Sequence, residues 1–313
     1  MVEKIAPRDT YGKTLLELGR VNKDIVVLDA DLGPSTMVKY FHAEFPDRFF
    51  DVGIAEANMM GIAAGFAASG KIPFASSFAV FATGRCFDQI RVSIAQSKLN
   101  VKIVATHAGV TVGEDGGSHQ ALEDIALICS LPGFTVIVPA DSIETDQVIR
   151  TVTEYKGPCY VRLPRAKLSV VNKPDYKFEI GKACELRSGE DVTIIAIGVM
   201  VSEAVEAADR LAAEGVRCRV LNMATVKPID EAAIIKAARE TGAIVTAEEH
   251  QRHGGLGSSV AEVLAANLPT PVEFVAVQNK FGQSGSPEEL LAHYHLTSGD
   301  IVAAVKKVIA RKQ

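Results

Sequence analysis

Long apolar runs are missing from this 313-residue sequence, and none approaches the ~20 residues that a membrane-spanning helix needs. The segment Met1–Arg8 also lacks the apolar core of a secretory signal, so we expect a cytoplasmic protein. No fixed-period repeat and no low-complexity tract is visible. The net charge of −5 is not segregated along the chain, and no basic surplus indicates a nucleic-acid binder.

Cysteine is also scarce, and its pattern excludes two kinds of site. The count of five is odd, and no two cysteines form a C-x-x-C pair. A disulfide framework and a structural zinc site are therefore not expected. Most of the cysteines lie in apolar runs, which is typical of reduced core cysteines. The five are Cys86, Cys129, Cys159, Cys184 and Cys218.

The composition indicates a globular protein with a substantial core, since 48% of the residues are hydrophobic and 23% are charged. At roughly 100–200 residues per domain, the length favours two domains, with three as the alternative. Short β-rich runs alternate with helix-length segments in both halves, and several runs are apolar on both faces, as in a covered parallel sheet. The alternation predicts two doubly wound α/β domains with mostly parallel sheets.

The predicted strands are 25–28, 72–75, 101–105, 135–138 and 159–161 in the first domain, and 192–197, 218–221, 243–246 and 272–275 in the second. The predicted helices are 56–68, 87–96, 142–154, 202–214, 230–240, 258–267 and 299–310. Ser142, Glu144 and Thr145 are a plausible cap region. Residues 166–188 interrupt the alternation of predicted strands and helices. This indicates a linker between a first domain at 1–165 and a second at 189–313.

Ligands of parallel α/β sheets bind beyond the carboxyl ends of the strands, so the loops that follow strands are candidate sites. After the first strand, Asp29, Asp31 and Ser35 lie in one turn. Ordinary turn chemistry, with Ser35 as a helix cap, explains this loop slightly better than a binding role.

Glu56 opens a helix that otherwise looks apolar all round. A first-turn glutamate usually complements the helix dipole, but a buried carboxylate needs a partner or a function.

A long glycine-rich loop, residues 106–120, follows another predicted strand. Its four glycines and its titratable side chains suggest that it binds a ligand. A metal site is possible, but the spacing of the polar residues is not a standard ligand pattern. The titratable residues of the loop are His107, Glu114, Asp115 and His119.

Two further loops are weaker signals. Arg162 and Arg165 directly follow a strand, where they are either solvated or able to bind a phosphate.

Residues 254–259 lack the last small residue of G-x-G-x-x-G, so we interpret them as a tight strand-to-helix turn. The polar residues just before this turn are expected at an interface. They are Glu248, Glu249 and His250.

Together these stretches resemble the transketolase family of thiamine diphosphate enzymes. The most specific segments are 51–61, 76–81 with 87–91, and the glycine-rich loop with its Gly-Glu-Asp-Gly and Ser-His-Gln sequences. The resemblance covers the family's pyrimidine-binding and C-terminal domains. The family's N-terminal domain, which holds diphosphate and Mg²⁺ through a Gly-Asp-Gly…Asn motif, has no counterpart in this sequence. The chain therefore resembles the C-terminal subunit of a split transketolase.

The resemblance implies cofactor roles for four residues. Glu56 corresponds to the glutamate that hydrogen-bonds N1′ of the cofactor's pyrimidine and so promotes formation of the thiazolium nucleophile. Phe81 corresponds to the ring that stacks on the pyrimidine, with Phe78 nearby, although the alternative is that both are core residues. Asp31 corresponds to an acid near the cofactor.

The resemblance also implies substrate roles. The residues expected to contact the sugar's hydroxyls and carbonyl are His107, Asp115 and His119, and the two histidines are expected to be catalytic together with Glu56. The residues expected to bind the acceptor's phosphate are Arg8, Ser35 and Arg165. No metal ligand is expected in this chain, because Mg²⁺ would be held mainly by the partner subunit.

The implied reaction is transfer of a two-carbon ketol unit from a ketose phosphate to an aldose phosphate, together with an N-terminal subunit. Self-association of the chain, and a heterotetramer with two copies of each subunit, are further expectations. The alternatives within the superfamily are a β subunit of a 2-oxo acid dehydrogenase and an enzyme like deoxyxylulose-phosphate synthase. A non-catalytic subunit that regulates a partner is the alternative from another class, and Glu56 argues mildly against it.

Overall fold

The structure is a computed structural model that describes residues 4–312. Its strands are β1 (Lys4–Ile5), β2 (Ile25–Asp29), β3 (Phe49–Asp51), β4 (Ile72–Phe78), β5 (Lys102–Thr106), β6 (Thr135–Ile137), β7 (Cys159–Arg162), β8 (Leu168–Ser169), β9 (Cys184–Arg187), β10 (Val192–Ala196), β11 (Cys218–Asn222), β12 (Thr225–Lys227), β13 (Ile244–Gln251) and β14 (Val272–Val277).

The α-helices alternate with these strands through most of the chain. They are α1 (Pro7–Val21), α2 (Gly33–Thr36), α3 (Lys39–Glu44), α4 (Glu56–Ala68), α5 (Ala79–Gly84), α6 (Phe87–Gln89), α7 (Asp124–Cys129), α8 (Ser142–Glu154), α9 (Met200–Ala212), α10 (Glu231–Thr241), α11 (Leu256–Asn267), α12 (Pro287–His293) and α13 (Ser298–Ile309). No helix within residues 4–312 has the length and apolar character needed to cross a membrane.

The first sheet has the strand order β12-β6-β7-β5-β4-β2-β3. All of its pairs are parallel except the antiparallel pair of β12 and β6. Every residue of β2 and of β5 is buried, as expected for strands that are covered on both faces. Helices α1 and α8 pack on one face, and α4, α5 and α7 pack on the other.

The second sheet has the order β14-β13-β10-β11-β9 and is parallel except at its β9 edge. Helices α9 and α13 cover one face, and α10 and α11 cover the other. The predicted fold class, two doubly wound α/β units with mostly parallel sheets, is confirmed. One apolar cluster runs from α4 and α5 of the first unit to α10 and α11 of the second, so the two units share a core.

The segment predicted as a linker is structured at both ends. Within residues 166–188, β8 pairs with β1 and β9 forms an edge of the second sheet. The second half also contributes β12 to the first sheet, where it pairs with β6. The predicted boundaries at residues 165 and 189 stay a prediction, but the units are joined by strand pairing as well as by packing.

Several local details differ from the sequence-based expectations. Helix α1 and strand β3 are present although neither was predicted. The expected helix over 87–96 is a short α6 that continues as a π-helix over Ile90–Ala95. The cap of α8 is Asp141, not Ser142, because the Asp141 carboxylate accepts the Glu144 N–H over 2.8 Å.

Candidate active site

The loops that follow β2, β3, β4, β5 and β7 lie at one edge of the first sheet, because these strands are parallel neighbours. These loops, the strand and helix ends that adjoin them, and the first turn of α1 contain all of the candidate residues. The adjacency of β4 and β5 places Phe78 directly beside the start of the glycine-rich loop. The carboxyl edge of the sheet is therefore the candidate site, as the topology of α/β folds predicts.

Glu56 is the first residue of α4 and is only 3% exposed. The guanidinium of Arg85 donates to both of its carboxylate oxygens, with Nη1 lying 3.0 Å from Oε1 and 3.2 Å from Oε2. The Arg85 side chain itself is 48% exposed. The buried carboxylate thus has a partner that reaches it from the solvent side.

Arg85 also covers an aromatic ring. Its Cζ lies 3.9 Å from the centroid of the Phe81 ring, which is cation–π distance. Phe78 is more deeply buried, and its ring stacks on the imidazole of His107 with the centroids 3.8 Å apart. Phe81 therefore presents the more accessible ring face. Arg85 was missed from the sequence, because its pairing with Glu56 joins residues 29 positions apart.

His107 begins the glycine-rich loop in a left-handed conformation, with φ of 57°, and is 3% exposed. Its Nε2 lies 3.3 Å from Arg8 Nη1, and its Nδ1 lies 2.8 Å from the Thr106 hydroxyl oxygen. A guanidinium can only donate, so Nε2 carries the lone pair and the proton resides on Nδ1. The imidazole N–H then donates to Thr106, and this arrangement fixes the neutral tautomer of His107.

The surroundings of His107 keep its imidazole neutral. Burial, followed by the positive charges of Arg8 and Arg165 and the nearby His119, lowers the pKa of His107 from 6.5 to about 3. At neutral pH the ring is therefore uncharged. Such a side chain can accept or donate a hydrogen bond without bringing a charge into the site.

Two arginines converge near His107. Burial and the charge of Arg165 lower the pKa of Arg8, although Asp9 opposes this shift. Arg8 Nη1 donates to the Ser35 carbonyl over 3.1 Å, while its buried Nε has no hydrogen-bond partner in the described chain. Arg165 Nη1 donates to the Val112 carbonyl over 2.7 Å and to the exposed Glu114 carboxylate over 2.7 Å. Ser35 thus contributes its main chain, not its hydroxyl, to this group.

The remaining candidate residues, His119, Asp115 and Asp31, are half-buried or exposed. His119 is half-buried, and its Nδ1 forms a hydrogen bond of 2.9 Å with the Ser118 hydroxyl oxygen. Its imidazole packs edge-on against the Phe81 ring, with the ring centroids 5.2 Å apart. Asp115 is exposed, and so is Asp31, whose N–H donates to the Asp51 carboxylate over 3.2 Å. Among the described residues, no hydrogen bond connects Asp31 or Asp115 to the other candidates.

The buried carboxylate of the β2 turn is Asp29, which is 2% exposed. Its Oδ2 accepts the N–H groups of Leu32 and Gly33 over 3.0 and 2.7 Å. Burial raises the pKa of Asp29 to about 6, while these two bonds lower it. The turn-forming role that the sequence favoured for this loop is therefore fulfilled by Asp29. The expectation that Ser35 caps a helix is wrong, because Ser35 lies inside α2 and neither α2 nor α3 has a side-chain cap.

Behind the site lies a buried charged cluster at the contact between the two units. The Arg162 guanidinium donates from Nε to Asp124 Oδ2 over 2.8 Å and from Nη2 to the Glu249 carbonyl over 3.1 Å. Glu248 instead accepts the first N–H groups of α11. Arg162 is therefore not available to bind a phosphate. Within residues 4–312, no three His, Cys, Asp or Glu side chains are grouped to hold a metal ion.

We expect the His107 imidazole to show no titration between about pH 5 and 8, because burial and neighbouring positive charges hold its pKa far below the usual value. NMR of the histidine Cε1–H groups measures this, and His107→Gln identifies the signal. Arg8→Gln should move the His107 pKa upward, since it removes a like charge. Lys39→Gln, at an exposed position on α3, should leave it unchanged. A His107 signal that titrates near pH 6.5 in the unmodified protein would contradict this prediction.

Comparison with known proteins gives a consistent picture. Residues 3–170 match the family described as transketolase, pyrimidine binding domain, and residues 181–301 match transketolase, C-terminal domain. A putative transketolase C-terminal section from Methanocaldococcus jannaschii is 49% identical, over 97% of this chain and 96% of that protein. The 6-deoxy-6-sulfo-D-fructose transketolase subunit SqwH from Clostridium sp. is 45% identical, over 97% and 95% of the two chains.

A solved structure is similar over the whole chain. It is titled as a split gene transketolase, inactive beta4 tetramer, and it superposes with a TM-score of 0.93 at 53% identity, covering 99% of this chain and 100% of that one. The matched family models together span both α/β units and most of the sequence. The chain therefore belongs to the transketolase family, of which it carries the pyrimidine-binding and C-terminal domains.

Proposed function

We propose that this chain is the C-terminal half of a two-subunit transketolase that transfers a two-carbon ketol unit between sugar phosphates. The observation that carries the proposal is that the buried Glu56 carboxylate and the Phe81 ring contact the same guanidinium, that of Arg85. Relatives of the same length are named as a C-terminal section and as a subunit, which supports a separate N-terminal partner. That partner would supply the diphosphate and Mg²⁺ site.

The residues around Glu56 fit the pyrimidine of thiamine diphosphate. The Arg85 guanidinium is planar, donates N–H groups to the carboxylate, and lies over the Phe81 ring. An aminopyrimidine is also planar, and its protonated ring nitrogen is a donor. These shared properties support the proposal that the pyrimidine would take the place that Arg85 occupies against Glu56 and Phe81. Glu56 would hold the proton at N1′, and Phe81 would stack on the ring.

Thiamine diphosphate, when bound, supplies the carbon nucleophile that ketol transfer requires. This chain's own contribution is to bind, orient and protonate. His107 is neutral at physiological pH, so it can exchange hydrogen bonds with a sugar hydroxyl or carbonyl without a charge penalty. His119, which lies against the Phe81 ring, would contact the sugar together with His107. The exposed Asp115 would contact a sugar hydroxyl from the solvent side.

Arg8 and Arg165 would bind the terminal anion of the sugar. Burial, and to a smaller extent the charge of Arg165, lower the pKa of Arg8, and a bound anion would offset both effects. One relative is named for 6-deoxy-6-sulfo-D-fructose, so the anion that this pair accepts is either a phosphate or a sulfonate.

Reconstitution tests the proposal directly. Adding the N-terminal subunit that carries the diphosphate motif should raise thiamine diphosphate affinity and ketol transfer together, saturating at equal stoichiometry. Glu56→Gln retains the shape but not the acid, so turnover should fall by roughly 100-fold or more. Glu44→Gln, at an exposed position on α3, is the control and should not reduce turnover. Ketol transfer by this chain alone, with cofactor and Mg²⁺ supplied, would refute the two-subunit proposal.

Arg85 should compete with the cofactor for Glu56. Arg85→Ala leaves Glu56 and Phe81 free, so the assembled enzyme should bind thiamine diphosphate roughly three- to tenfold more tightly, as expected for loss of a partly exposed ion pair. Calorimetric titration measures the affinity. Arg91→Ala, at an exposed position further along the chain, should not alter it. Weaker binding by the Arg85 variant would mean that Arg85 contacts the cofactor instead of competing with it.

Arg165 should select phosphorylated acceptors. Arg165→Ala removes a charge-assisted hydrogen bond, so KM for a phosphorylated aldose should rise roughly tenfold, while KM for the unphosphorylated sugar should change little. Steady-state kinetics of both acceptors measure the ratio. Lys167→Ala, an exposed cation two residues on, is the control. An equal rise for both acceptors would indicate that Arg165 only supports the loop through Val112.

A further inference from the structure

The glycine-rich loop of the first unit is held by a carboxylate of the second. The main-chain N–H of Thr111 donates to Glu249 Oε2 over 3.1 Å. The Thr111 hydroxyl donates to the same carboxylate, with its oxygen 2.9 Å from Oε2 and 3.1 Å from Oε1. Glu249 belongs to β13 and is 2% exposed. A buried acceptor from the other unit therefore holds the middle of the loop.

The main chain of the loop lies directly against this carboxylate. Gly109 has a positive φ of 79°, and a Cβ built on it would lie 2.1 Å from Glu249 Cδ. No other residue could occupy position 109 without moving the loop or the carboxylate. Gly109 is also two residues beyond His107, so any displacement at this contact would be passed to the imidazole through a short stretch of main chain.

Glu249 is itself held in place. Arg162 donates to its carbonyl over 3.1 Å, and Arg162 Nη1 lies 3.8 Å from Oε1. Arg162 is in turn bonded to the buried Asp124 over 2.8 Å. Burial raises the pKa of Glu249 to about 7, even though the positive charge of Arg162 and the two Thr111 donors favour its charged form. The carboxylate is therefore a rigid support, not a mobile one.

We propose that Glu249 is a positioning residue through which the C-terminal domain sets the conformation of the glycine-rich loop and, with it, the position of His107. It does not touch the reacting atoms. The identity of the substrate rests on the proposed function, but the mechanical role does not, because it can be measured in this subunit alone.

The neighbouring residue provides a matched control. Glu248 is also buried, at 1% exposure, and burial also raises its pKa to about 7. Its oxygens accept the N–H groups of Leu256 and Gly257, each over 2.8 Å, so it supports α11 and makes no hydrogen bond to the loop within the described chain. Comparing the two glutamates separates support of the loop from the general effect of losing a buried carboxylate.

Hydrogen–deuterium exchange of the subunit tests the mechanical role. Glu249→Ala should accelerate amide exchange across residues 107–120 by roughly tenfold or more, since a tenfold change corresponds to loss of about one good hydrogen bond. Glu249→Gln keeps an oxygen that can accept from Thr111, so it should restore most of the protection. Glu248→Ala should lower the melting temperature without accelerating exchange in the loop. Equal acceleration by both alanine variants would overturn the proposal.

Kinetics of the reconstituted enzyme give a second readout. Glu249→Ala should raise KM for the sugar substrates roughly tenfold while thiamine diphosphate affinity changes little, because the displaced loop carries sugar contacts. If Glu249→Ala does not fold, Thr111→Val removes only the hydroxyl bond and should show the same effects more weakly. Unchanged sugar KM together with unchanged loop exchange would overturn the proposal. An unmodified reconstituted enzyme without ketol transfer would instead refute the proposed function, and the exchange comparison would still decide this inference.

Discussion

The buried guanidinium of Arg162 is the interaction on which the arrangement of the site depends. It donates hydrogen bonds to the carboxylate of Asp124 at the start of α7 and to the main-chain carbonyl of Glu249 in β13. A single cation therefore joins both units. A buried charge of this kind is stable only while its partners surround it, and loss of one partner is costly. The geometry of the Glu249 carboxylate, and of the loop that rests on it, follows from where Arg162 is fixed.

The carboxyl edge of the first sheet separates charge of opposite sign. Its outer part holds Arg8 and Arg165 around a neutral His107, while the carboxylates of Asp29 and Glu249 are turned inward toward N–H donors. Cations attract anions, and acids that are satisfied by the main chain do not oppose them. The exposed Glu114 carboxylate, which pairs with Arg165 over 2.7 Å, is the acid that an incoming anion would have to displace. The charge distribution therefore favours an anionic substrate that exchanges with Glu114 at Arg165.

Much of the fold could be predicted from the sequence, because strands buried on both faces produce continuous apolar runs such as that of β2. Strand β12 could not be predicted, since it has three residues and pairs with a strand far away in the chain. The resemblance pointed to Glu56 and Phe81, although their roles stay predictions. The contact of Arg85 with Glu56 is set by tertiary packing, and no local spacing encodes it.

Strand pairing across the boundary between the two halves has a consequence for how the chain can be divided. A fragment that ended at residue 165 would leave β6 without β12 and β1 without β8. An edge strand with open N–H and C=O groups readily pairs with another chain, so such a fragment would be prone to aggregation. Truncation or circular permutation of this protein should therefore keep both halves together, because the smallest autonomous folding unit extends across the domain boundary.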